Sequence, residues 1–180
     1  TTMTFNDPVT IGITTVLTGN TIFNGTVNAS VPDTYDLTVN GTTTTFGSSA
    51  VIGGTGILRS LITNSAGITT INSGEVNATV QTYSDNIIIG ANTTLTGGTV
   101  TINDGIDGDV DNTRTLTINA NSVTTIDGTS GESSTTLLSL TTDAAGTMVH
   151  KGTISATTQI YRDAVTIGAS TTLNLDATTP

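Results

Sequence analysis

TYSDNIIIGANTTL, residues 82–95, decides the architecture, because the chain writes it three times. TFNDPVTIGITTVL (4–17) and IYRDAVTIGASTTL (160–173) align with it without a gap, on Phe5, Tyr83 and Tyr161 and on Asp7, Asp85 and Asp163, so equivalent positions stand 78 residues apart. Other segments keep nearly the same offset: LRSLITNSAG (58–67) returns as LLSLTTDAAG (137–146), and DLTVNG (36–41) as TLTINA (115–120). Self-similarity at a fixed period marks stacked supersecondary units that share one core. The chain therefore reads as one continuous repeat array over 1–180, in units of about 79 residues: a partial unit at 1–57, a full unit at 58–136 and a partial unit at 137–180.

Composition narrows the choice of core. Apolar residues make up 34% of the 180 positions, with three Phe, three Tyr and no Trp, which is thin for an ordinary globular interior. Three Pro and 10% charged residues are equally unlike a disordered chain. Thr dominates, mixed with Val, Ile, Asn and Gly, which favours strands and tight turns over helix. Four basic against fourteen acidic residues give a net charge of −10, so nucleic acid and anionic membrane are poor partners. With no Cys there is neither a disulfide framework nor a thiolate metal site. No apolar run approaches the roughly 18 residues of a membrane span, and TTMTFNDP has neither a basic nor an apolar leader region.

Along the chain, short apolar alternations end in turn residues: Val9/Ile11 before Gly12, Leu37/Val39 before Asn40, Ile87/Ile89 before Gly90, Leu116/Ile118 before Asn119, and Val165/Ile167 before Gly168. Each is a period-two strand too short to bury much alone. A parallel β-solenoid absorbs this pattern, with Val, Ile and Leu lining a narrow core and Thr and Asn on the faces. The rival is a string of small antiparallel β-sandwich modules, which should show a core Trp or tyrosine corner and recognisable linkers; neither is evident. The solenoid reading expects about four coils of roughly 20 residues per unit and about nine coils in all, a segment on the order of 40 Å long.

QIYRDAVTIGASTTL (159–173), QTYSDNIIIGANTTL (81–95) and the Leu-x-Ser-Leu-x-Thr lead-ins at Leu58 and Leu137 resemble repeats of very large secreted bacterial proteins of the filamentous-haemagglutinin type. The resemblance covers almost the whole chain and implies a right-handed parallel β-helix, location outside the cell at the bacterial surface, and a part in adhesion, aggregation or biofilm structure. Those repeats share no catalytic residues to carry over.

The residues themselves offer few chemical candidates. Asp7, Asp85 and Asp163 invite comparison with glycosidase carboxylates, but that chemistry needs two carboxylates in unlike environments, and these share one repeat phase. Each precedes an apolar strand, where a carboxylate is expected to accept backbone N–H groups in a turn. The Phe or Tyr two residues earlier is expected to plug the core.

Asp107, Asp109 and Asp111 form the D-x-D-x-D start of a calcium loop, the one metal candidate. The rest of the loop fails, since the sixth position is Asn112 where Gly is needed and the twelfth is Ile118 where a bidentate Glu is needed. His150 has no second His or Cys and reads as a surface strand residue. Gly53 and Gly54 sit in a turn-like VIGGTG with no basic residue to meet a phosphate. T-x-T pairs at Thr43/Thr45, Thr94/Thr96, Thr99/Thr101 and Thr115/Thr117 suggest ice binding, but their separations are uneven, whereas a flat ice face needs the same pair on every coil.

These observations favour a non-enzymatic rod or stalk of a surface adhesin or matrix filament, partnered by itself or by neighbouring repeats and by host or matrix glycans. A calcium- or carbohydrate-binding module using 103–112 is the alternative. A polysaccharide-active β-helix enzyme and an ice-binding solenoid rank below it.

Overall fold

A computed structural model describes residues 1–64, 66–129, 135–168 and 170–175. Every paired strand among them is parallel to its neighbours and no helix occurs, so the chain is a β-solenoid and the sandwich alternative is excluded.

The coil has three faces. The first stacks Thr2–Phe5, Asn20–Phe23, Thr43–Phe46, Ile68–Ile71, Asn86–Ile89 and Ile106–Gly108. The second begins with Val9–Ile11 and Val27–Ala29 and passes through single bridges at Ile52 to Val76. It then continues in the leading halves of Glu75–Tyr83, Thr93–Ile102 and Thr115–Thr129, in Leu137–Thr142 and in the trailing end of Thr147–Ile160. The third runs through Thr15–Thr18, Asp36–Asn40, Leu58–Thr63, the trailing halves of those longer strands, the start of Thr147–Ile160, and Ala164–Ile167. Eight rungs stand on the third face, one fewer than the nine coils expected. At about 4.8 Å per rung that stack is about 35 Å long.

Alternation explains the strands. In Asn86–Ile89, Ile87 and Ile89 are fully buried while Asn86 and Ile88 face outward, and the same two-residue period runs through Thr93–Leu95 and Val100–Ile102. Inward residues pile up from rung to rung. On the first face Phe5, Phe23 and Phe46 form a stack, with ring centroids 5.1 and 6.0 Å apart, that Ile71 and Ile89 continue. On the second, Val9, Val27, Ile52, Val76, Leu95 and Ile118 form one column. Narrow columns fill with aliphatic side chains, which is why few aromatics suffice.

The third-face column Leu17, Val39, Thr63, Tyr83, Ile102, Ile126, His150 and Ile167 shows that one turn takes between 17 and 24 residues. The 78-residue repeat is therefore not a whole number of turns. Phe5 lies on the first face; three turns and two faces later Tyr83 lies on the third; and three turns and two faces beyond that Tyr161 follows the last second-face rung, next to Thr142. Each repeat enters the coil on a different face.

Candidate functional site

This rotation separates the three equivalent aspartates. Asp7 lies between the first and second faces, Asp85 between the third and first, and Asp163 between the second and third, so the structure does not bring them together. Their surroundings differ as well. Asp7 is exposed. Asp85 is fully buried and accepts the hydroxyls of Thr63 (2.6 Å) and Thr69 (2.8 Å), which come from the turn below. Burial pushes its carboxyl above the usual range, and the two hydroxyls oppose the shift. Asp163 is largely buried, with only the Thr142 hydroxyl near its carboxylate and outside hydrogen-bond geometry; burial raises its carboxyl as well, and Thr142 opposes the shift. The position of Thr69 is occupied in that repeat by Met148, so a hydroxyl partner is missing. The expected backbone N–H partner is present for Asp85 as its own amide, and threonine hydroxyls across turns add to it in holding the side chain.

Asp107, Asp109 and Asp111 each have partners of their own. Asp107 is buried and accepts Asn86 Nδ2 at 3.1 Å. Asp109 takes a two-pronged ion pair from Arg114, Nε at 2.5 Å and Nη2 at 2.9 Å, which holds its carboxyl below the usual range. Asp111 accepts the backbone N–H (2.9 Å) and hydroxyl (2.8 Å) of Thr136, and those bonds lower it too. Asp111 thereby pins its loop to the next turn. Among the described residues no three His, Asp or Glu side chains come together in a way that could hold a metal ion.

Aromatic residues of the repeat lie inside, as expected of core plugs: Tyr83 is fully buried, and Phe5 and Tyr161 pack against the core half-buried. Tyr83 stands beside a polar group that the sequence reading missed. Gln81 points inward, donates Nε2 to Thr96 O (2.9 Å) and Val76 O (3.2 Å), and accepts Tyr83 Oη at 2.8 Å. Gln159 and Tyr161 repeat the arrangement, with Nε2 to Ile154 O at 3.1 Å and Oη to Oε1 at 2.6 Å. The signal was a Gln-x-Tyr step at 81–83 and 159–161, in phase with buried residues.

His150 is the clearest correction. It is fully buried, neither ring nitrogen has a hydrogen-bond partner, and its ring centroid lies 6.2 Å from that of Tyr161. Burial pushes its pKa down, which favours the neutral ring. The chain places His150 inward because Met148 and His150 share the two-residue alternation of the third face.

Gly53 and Gly54 do make a tight corner. Gly53 has φ +69°, and a Cβ there would fall 2.0 Å from Asn77 O, whereas at Gly54 the nearest atom would be a Val51 methyl at 2.8 Å. The four T-x-T pairs scatter: Thr43/Thr45 on the first face, Thr94/Thr96 and Thr115/Thr117 on the second, and Thr99/Thr101 on the third. Among the described residues no pocket opens in the surface, and no helix is long and apolar enough to cross a membrane. No family model, curated protein or solved structure matches the chain.

Proposed function

We propose that the chain is a structural segment, a rod or stalk of a bacterial surface adhesin or matrix filament outside the cell, with no catalytic role. The observation that carries this reading is the unbroken apolar interior, which links all turns through shared columns and leaves no interdomain joint among the described residues. A solenoid of this kind resists bending because its rungs are joined by hydrogen-bonded parallel ladders on more than one face. The resemblance of 81–95 and 159–173 to repeats of filamentous-haemagglutinin-type proteins supports the surface location. Partners are further copies or neighbouring repeats that continue the coil, since stacking of one rung on the next by parallel pairing is the contact this fold repeats throughout.

Small-angle scattering over a concentration series tests this function. A rigid rod one coil thick is expected, lengthening in steps of one molecule as concentration rises. Two compact bodies joined by a hinge would overturn the rod, and a length independent of concentration would overturn self-association.

A further inference from the structure

Register along the third face aligns residues whose spacing in sequence is irregular. Its outward side chains stand in two columns: Ser60, Val80, Thr99, Val123, Thr147 and Ala164 in one, and Ile62, Thr82, Thr101, Thr125, Val149 and Thr166 in the other. Six consecutive rungs thus present a pair two residues apart, and every member is Thr, Val, Ile, Ser or Ala. Within these six rungs no Asp, Glu, Lys or Arg enters either column, although the chain carries 18 charged residues; the charges border the array, with Asp36 in register with Ser60 on the rung before it and the Asp127–Lys151 ion pair two residues beyond Thr125 and Val149. The register shift in this part of the sheet falls between Gly97 and Thr99, at the corner before the face. Behind the first five rungs the inward residues Leu61, Tyr83, Val100, Ile102 and Met148 are fully buried, so that part of the array rests on a packed core, whereas Val165 and Ile167 of the last rung are exposed.

We propose that this third-face array binds ice. Rungs about 4.8 Å apart, with i and i+2 side chains about 7 Å apart along each strand, make a rectangular grid of methyl and hydroxyl groups. Planes of ice repeat their oxygen atoms at spacings close to both. A grid of branched, uncharged side chains holds water in ordered positions without the strong hydration that a charge would impose. The grid comes from rung alignment and needs no strict T-x-T pair, because Val and Ile offer the same branched methyl as Thr at alternate points.

A second copy of the chain is a poorer occupant. The array measures about 24 Å by about 10 Å, roughly 240 Å² a side, well under the about 800 Å² per partner of a stable protein interface. A periodic solid gains from every rung at once and needs no such area from a single contact. This inference goes beyond the structural reading and does not rest on it, since a rod without an ice face remains a rod.

The test is partition into a slowly grown ice hemisphere, with recrystallisation of fine-grained ice as a second readout. The parent protein is expected to concentrate in the ice and to keep the grains small. Thr101→Lys with Thr125→Lys places two ammonium groups in the middle of the grid and is expected to reduce partition about tenfold or more, because each must lose water to reach the ice. Thr117→Lys makes the same change on the outward side of the second face and is expected to leave partition unaltered. Circular dichroism of all three proteins establishes that the coil is intact. Exclusion of the parent from the ice, or equal loss in the Thr117→Lys control, would overturn the proposal.

Discussion

Inside the coil the hydroxyl of Tyr83 donates a 2.8 Å hydrogen bond to Oε1 of Gln81. Both side chains are fully buried, so each supplies the partner that the other would otherwise lack. The first repeat solves the same position differently, with Met3 and Phe5 in place of Gln and Tyr. Polar pair and apolar pair are alternatives; a mixture is not.

Tyr83→Phe alone should therefore strand Gln81 Oε1 and cost about 1–3 kcal/mol. Adding Gln81→Met should recover most of the loss by restoring the combination seen at Met3 and Phe5. Urea unfolding midpoints of the single and double variants check this. A double variant no more stable than Tyr83→Phe would show that the two residues act independently.

Backbone conformation makes the second case. Gly53→Ala combines a left-handed φ with a contact 2.0 Å from Asn77 O, so the coil must shift as well as strain, and a cost of about 2–4 kcal/mol is expected. Gly54→Ala meets only a side-chain methyl and should cost well under half as much. Thermal melting of the two variants side by side gives the comparison, and similar losses would contradict it.

Three buried titratable groups give the stability curve two opposing contributions. His150 is held below 6.5 by burial, so its share of stability is present above pH 6.5 and is lost as pH falls toward its lowered value. Asp85 and Asp163 are raised above 3.8, so their share is present below pH 3.8 and is lost as pH rises through their shifted values. His150→Ile, which restores the residue found at the equivalent Ile71, should raise stability by about 1–3 kcal/mol and flatten the curve below pH 6.5. Melting temperatures between pH 5 and pH 8 measure it; an unchanged acid limb would mean that His150 is not the group responsible.

Calcium provides a fourth check. Asp109 is engaged by Arg114 and Asp111 by Thr136, so a cation at 107–111 would have to break bonds already made. Millimolar calcium should leave the melting temperature unchanged, whereas a rise that grows with calcium concentration would signal a bound ion. Asp111→Asn should destabilise the loop whether or not calcium is present.

Much of the fold was legible because parallel stacking leaves a compositional trace. Few aromatics, abundant Val, Ile and Thr, and a long repeat together point to a solenoid. The number of turns was not legible, because repeat and turn are incommensurate and corner loops vary, as in the 24 residues from Val39 to Thr63 against 19 from Tyr83 to Ile102. Asp85 and Asp163, alike in sequence phase, still differ in environment: Asp85 has Thr63 and Thr69 from the turn below, whereas Met148 stands where the second threonine would be for Asp163. His150 was misread because its type outweighed its phase. Gln81 escaped notice because a buried amide is satisfied by carbonyls, such as Thr96 O, that sequence does not display.

The mismatch between repeat and turn also governs how a longer array would look from outside. Successive repeats would bring the same motif to three directions in rotation, and three repeats would pass before any side chain regained its heading. A stalk built this way wears each motif as a screw thread around its circumference, so neighbours approaching from any side meet the same mixture of surfaces.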